Sequence, residues 1–398
     1  MPRLWLLPIL FSLAFGSAAA AGRPPGESPD EATAAATPGG VAPPGRCELS
    51  GADAAWAQKA LDAWETARRE VLALGPGPLP WIVLYDAGCV WHLAPGDEVP
   101  GAVPVAARLR AFGEPVPVLA RPHDGTLALP NGTEMPARAA AFTSLWRDGE
   151  ASFFVLAMAD LWRRDHPETG ENQELPAFFL GVAIHEMVHT LQLVEIGHRV
   201  EALGARYPLP QEVGDTVVEE RFRHQPVFAE ALQAERAGLL AAAAAPDLAG
   251  RRRLASGALC RVEARRERFL TGRDQGYAHL EDLLLATEGL AVWVHYRLSQ
   301  LDPGVAFLPE EPARRGRSEV LERMTEPTQE WVQEAGFALV LLLDDLASDW
   351  RRRILPPELA SPVALLEEAL GWEAASCGPE HDRPQPAPTT SGERAPIE

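Results

Sequence analysis

The sequence predicts an α+β protein, with a small strand-bearing N-terminal part followed by a mainly helical C-terminal part. Two observations predict it. Short runs of β-branched and aromatic residues, such as WIVLYD at 81–86 and CVWHL at 89–93, fall before residue 175. After residue 176 apolar residues recur at helical spacing, with breaks marked only by Pro, Gly and Asp clusters. Strands gathered ahead of helices are the α+β pattern. The 398 residues are 46% hydrophobic and 23% charged, enough chain for one large folded domain or two modest ones.

The elements follow in order. Residues 1–21 read as a secretory signal: Arg3 supplies the positive start and Leu4 to Phe15 form an apolar core. That core is too short to span a bilayer comfortably, and the small residues Gly16 to Ala21 suit cleavage near Ala20 or Ala21. Residues 22–46 are rich in Pro, Gly, Ala and Ser and read as a disordered linker, as does the tail 378–398. The expected body is therefore 47–377, divided into an α/β part at 47–175 and a helical part at 176–377. The expected location is secreted or periplasmic, with no stable membrane insertion after cleavage.

Residues 51–74 carry Trp56, Ala60, Trp64, Ala67, Val71 and Leu74 at helical spacing, stopped by Gly75 and Pro76. Pro and Gly punctuate 100–136, which predicts irregular strands with turns at Asp124-Gly125 and Asn131-Gly132. ASFFVLAM at 151–158 predicts another strand leading into a short helix through Trp162. Helices are expected at 176–203, 214–245, 247–271, 277–300, 326–352 and 358–371. The apolar run 335–343 is too short for a membrane span and reads as a buried helix.

Charge excludes some partners. With 36 basic and 56 acidic side chains the net charge is −20, so a general nucleic-acid binder is not expected. Four Cys (47, 89, 260, 377), with no CxxC pair, predict two disulfides and no free thiol in an oxidising compartment. Three connectivities are possible. His92 and His123 lack ligand spacing, and the sequon at Asn131 and the Arg triplets at 251–253 and 351–353 read as ordinary surface features.

The chemistry concentrates in HEMVH, residues 185–189. On a helix, residues four apart share a face, so His185 and His189 can reach one zinc ion. Glu186 stands beside them as a candidate general base. The surrounding residues are almost all apolar, so the polar ones need a reason to be buried. A third ligand must come from elsewhere. Glu195 lies six residues on, but Gln192 stands where a turn-forming Gly would be needed, so the helix should carry Glu195 away. Glu219, Glu230 and Glu235 are further candidates, although a solvated face explains them as well. Glu288, in LLLATEGLAVWVHY, is the favoured choice. It shares a stripe at seven-residue spacing with Glu281 and His295 on an otherwise apolar helix, and Gly289 beside it permits close approach of another helix. Glu281 is then a candidate partner for a zinc-bound imidazole. Tyr296 and His295, ahead of Tyr277 and Tyr207, are candidate donors to an oxyanion.

HEMVH followed by EGLA on a later helix resembles zinc metallopeptidases of the gluzincin type, which have a zincin-like fold. It is closer still to uncharacterised bacterial secreted proteins assigned to zinc peptidases, which also share a segment like GFALVLLLDDLASDW at 336–350. The resemblance covers about residues 176–350. It implies Zn2+ on His185, His189 and Glu288, Glu186 as base, and a peptide or protein substrate. Val292 departs from the pattern, since many gluzincins carry an acid four residues after the ligand Glu. The long interval between His189 and Glu288 is a second departure. Two other readings stay open: hydrolysis of a non-peptide amide or ester at the same site, and a non-catalytic zincin-like or helical binding protein of the cell envelope.

Overall fold

A computed structural model describes residues 5–6, 47–166, 175–210, 212–307, 316–324 and 331–377. The expected signal (except residues 5–6), linker and tail lie outside the described residues. The protein is mixed α+β, with its sheets toward the N-terminus and helices toward the C-terminus. The chain divides into two compact units: Met1–His198, Gln211–Gly214 and Val294–Arg314 form one, and Arg199–Pro210, Asp215–Trp293 and Arg315–Glu398 the other. The helix carrying HEMVH belongs with the strands in the first of these units as far as His198.

In the first unit, β1 (Trp5–Leu6) is a two-residue strand beside β12 (Glu212–Val213). The helix α1 (Gly51–Thr66) starts at Ser50, whose hydroxyl accepts from the Asp53 amide. A π-helical turn, Ala67–Val71, carries it on to Leu72 and Ala73. The strands β2 (Trp81–Tyr85) and β3 (Cys89–Leu93) follow as the aromatic and branched residues predict. The Pro-punctuated stretch forms β4 (Val103–Pro104), β5 (Arg110–Ala111), β6 (Glu114–Pro115), β7 (Val118–Pro122), β8 (Thr126–Ala128) and β9 (Glu134–Pro136). Gly125 and Gly132 both take positive φ at the expected turns.

Two longer strands complete the main sheet, β10 (Ala141–Trp146) and β11 (Ala151–Ala157), before the short helix α2 (Ala159–Asp165). The order is β10-β11-β2-β3-β7-β4, with β11 and β2 parallel and the other pairs antiparallel. β10 is therefore an edge. Ile82, Leu84, Leu93 and Phe154 meet Ala57, Leu61, Ala183 and Met187 in one apolar layer. The helix α3 (Leu175–Gly204) supplies the last two and is the element that the sheet supports. Pro176 sits in its first turn, where a missing N–H costs nothing. Its apolar stretch is long enough to cross a membrane by length and composition, but 78% of that window is buried in the fold.

The second unit is helical: α4 (Val217–Phe222), α5 (Pro226–Ala244), α6 (Leu248–Phe269), most of α7 (Gln275–Leu301), α8 (Arg317–Arg323), α9 (Trp331–Leu346), α10 (Trp350–Arg353) and α11 (Pro362–Leu370). The single helix expected over 214–245 is two, because Pro226 occupies the first turn of a new helix and cannot continue the old one. Buried residues fill α9 from Trp331 to Leu343, as the apolar run predicts. Disulfides join Cys47 to Cys89 and Cys260 to Cys377, one inside each unit, leaving no free thiol.

Candidate metal centre

The apolar sequence around HEMVH makes α3 a core helix, and its polar residues are carried inside with it. His185, Glu186, His189 and Gln192 are all 0% exposed. The two imidazoles stand edge to face with ring centroids 4.5 Å apart, the spacing that residues one turn apart impose. Burial pushes His185 down to about 3, so its imidazole is neutral at physiological pH. Neutral imidazole is the form that binds metal.

Glu186 is held from the sheet. Thr143 of β10 places its hydroxyl 2.6 Å from Glu186 Oε2 and 3.1 Å from the Glu186 carbonyl. One turn on, Ser152 of β11 donates to the Thr190 carbonyl at 3.0 Å. Sequence reasoning missed Thr143. Its strand, AFTSLW, carries β-forming residues that could have been read, but nothing local links it to a helix 43 residues later.

The helix α7 brings the second half of the cluster. Gly289 lies backbone to backbone against Gly336 of α9, and a Cβ on Gly289 would stand 2.5 Å from the Gly336 carbonyl carbon. The close approach expected beside Glu288 is thus present. Farther along α7, His295 lies against α3 at Gly181, where a Cβ would come within 1.7 Å of Nε2. Gly181 is one turn before His185, and Glu288 is two turns before His295. One ligand atom each from His185, His189 and Glu288 lie within 4.8 Å of one another, and all three residues are buried. Two imidazoles and a carboxylate at such spacing match the donor set of a zinc site.

The other candidates are placed elsewhere. Both oxygens of Glu281 accept from two adjacent arginines. Oε2 accepts from Arg265 at 2.7 Å, and Oε1 accepts from Arg265 at 2.9 Å and Arg266 at 2.7 Å. Burial would raise its pKa, but those guanidinium groups outweigh it and hold Glu281 below the usual range. Glu235 is taken by Arg265 at 2.7 Å, Glu230 is exposed, and α3 carries Glu195 onward as expected. Burial lifts Glu219 to about 7, with Glu281 adding to the lift and Arg265 opposing it.

His295 places Nε2 2.9 Å from the Ala306 carbonyl, and the Ala306 amide bonds the Ala177 carbonyl, so this imidazole pins a loop to α3. Burial lowers it to about 4, opposed by that hydrogen bond and helped by His185. Tyr296 packs edge-on against Phe307, and Tyr277 against Phe222. Tyr207 stacks near His279. Gly181 was also missed; a Gly inside a helical pattern was its only signal. His92 is a core residue whose Nδ1 accepts from the Trp81 indole at 3.1 Å, and His123 bonds the Asp86 carbonyl.

No family model matches the chain, and no curated protein or solved structure matches it either.

Proposed function

We propose that this protein is a secreted or periplasmic zinc-dependent hydrolase of zincin-like, gluzincin type, acting on peptide or protein substrates. The observation that carries the reading is the convergence of His185, His189 and Glu288 ligand atoms within 4.8 Å, with Glu186 next to His185 on the same helix. A zinc ion held by these three would supply Lewis acidity toward a carbonyl and lower the pKa of a water toward ~7. The chain's own contribution is a proton path. The Glu186 carboxylate takes a proton from the attacking water and returns it to the leaving amine. The buried surroundings strengthen each of these electrostatic interactions.

Complete burial of the four residues favours one second reading, a non-catalytic protein with a closed structural metal site. Metal content of dialysed protein by elemental analysis, followed by a peptide screen, separates the readings. The hydrolase reading expects about one zinc per chain, a marked loss in Glu288→Ala, and a Glu186→Gln variant that keeps zinc but loses turnover. Zinc retained with no turnover in the wild type supports the structural site. No zinc in the wild type after reconstitution removes both.

A further inference from the structure

The sheet edge reaches the HEMVH helix at two consecutive turns. Thr143 and Ser152 lie on neighbouring strands in a fixed register, Thr143 opposite Phe154 and Leu145 opposite Ser152, so both point to the same face. Thr143 meets Glu186, and Ser152 meets the backbone four residues on. The Thr143 contact is dry, at 1% exposure against 0% for Glu186. Its 2.6 Å length is that of a short hydroxyl–carboxyl hydrogen bond. A hydroxyl has one proton, so the carboxylate at 2.6 Å takes it in preference to the carbonyl at 3.1 Å.

We propose that Thr143 is a positioning residue for Glu186: its hydroxyl, delivered by the edge strand, anchors Oε2 and fixes the carboxylate's rotation. Oε2 is the oxygen anchored to the sheet. This rests on the hydrolase reading, because only there does the carboxylate's orientation matter to chemistry. Rotation about the terminal torsion of a Glu is broad, so an unanchored Glu186 would sample poor geometries, and a small misplacement of a base carries a large rate penalty. A β-branched residue suits the post: Thr is stiff about χ1, and it sits in a strand tied to β11 along its whole length.

The test uses zinc-loaded full-length protein in four forms: wild type, Thr143→Val, Thr143→Ser and Glu186→Gln. Carboxylate bands are read by infrared difference spectroscopy on protein labelled with 13C-glutamate, and the Glu186→Gln spectrum assigns the Glu186 band. The Val variant preserves shape and removes the donor; the Ser variant restores the donor. The proposal expects a Glu186 carboxyl band that shifts or broadens in Thr143→Val, returns in Thr143→Ser, and is accompanied by unchanged zinc content in both. An unmoved band in Thr143→Val, or a Ser variant that behaves like Val, would overturn it. Should Thr143→Val fail to fold, Thr143→Ala takes its place as the form without the donor. Zinc content is measured separately on the same samples, so a wild type that takes up no metal rejects the hydrolase reading, whereas normal zinc with an unmoved band rejects the role of Thr143 alone.

Discussion

The helix α7 passes through two buried clusters of ionisable side chains, and they are built on opposite principles. Around Glu281 the charges are balanced by the protein itself. Arg265, 0% exposed, bridges Glu235 and Glu281, and Arg266 joins Glu281 to Asp282. Around Glu288 the converging groups are one carboxylate and two imidazoles, one of which burial holds neutral. The first donor set holds a fold together; the second suits a divalent cation. Burial alone therefore does not separate the two clusters, but the chemical identity of the gathered groups does.

The comparison can be broken most forcefully at Arg265. Arg265→Ala leaves Glu235 and Glu281 buried with their main counter-charge gone, which should cost about 3–5 kcal/mol by urea denaturation. A loss as small as a surface substitution would mean that the cluster is not self-balanced. The second cluster should respond to metal instead. Zinc at about 100 times its Kd should stabilise the protein by ~2.7 kcal/mol in thermal melts, and His189→Ala should abolish that gain. Equal zinc stabilisation in the variant would place the metal elsewhere.

Gly289→Ala acts between the clusters, forcing α7 and α9 apart at their closest point. Overpacking of this kind should cost about 2 kcal/mol and weaken zinc uptake together. Unchanged zinc affinity would show that the Glu288 site tolerates movement of its helix.

The smallest effect is a pH dependence at Glu219. Its pKa in the folded protein, about 7, lies above the ordinary 4.5, so the folded state holds the proton more tightly than the unfolded chain. Stability from this group is present below pH 4.5 and lost as pH rises through 7. Glu219→Gln should therefore gain on the wild type across that window, by about 1–2 kcal/mol after allowance for partial exposure. A gap that stays constant with pH would mean that burial does not lift Glu219.

Much of this contrast could be read from the sequence. The helical spacing of HEMVH, the apolar helix around Glu288 and the close approach allowed by Gly289 are all local patterns. So was the β content of 81–93. Glu281 shows where such patterns stop. It shares the seven-residue stripe with Glu288, and only the position of Arg265, on a different helix, decides that the two glutamates have different roles. Thr143 is the complementary case, since a contact made across the sheet leaves no periodicity in its own strand. The support of α3 is a related case. Helical periodicity marks where α3 begins but not that its first turns rest on the sheet.

The seven-residue stripe on α7 also constrains how this protein can change over generations. Glu281, Glu288 and His295 hold three separate posts: the arginine cluster, the candidate metal centre and the loop at Ala306. Inserting or deleting one residue between any two of them would turn everything downstream by about 100°. At least one post would then lose its occupant, whichever residue was added or removed. Descendants of this chain can exchange side chains along α7, but they cannot readily change its length there.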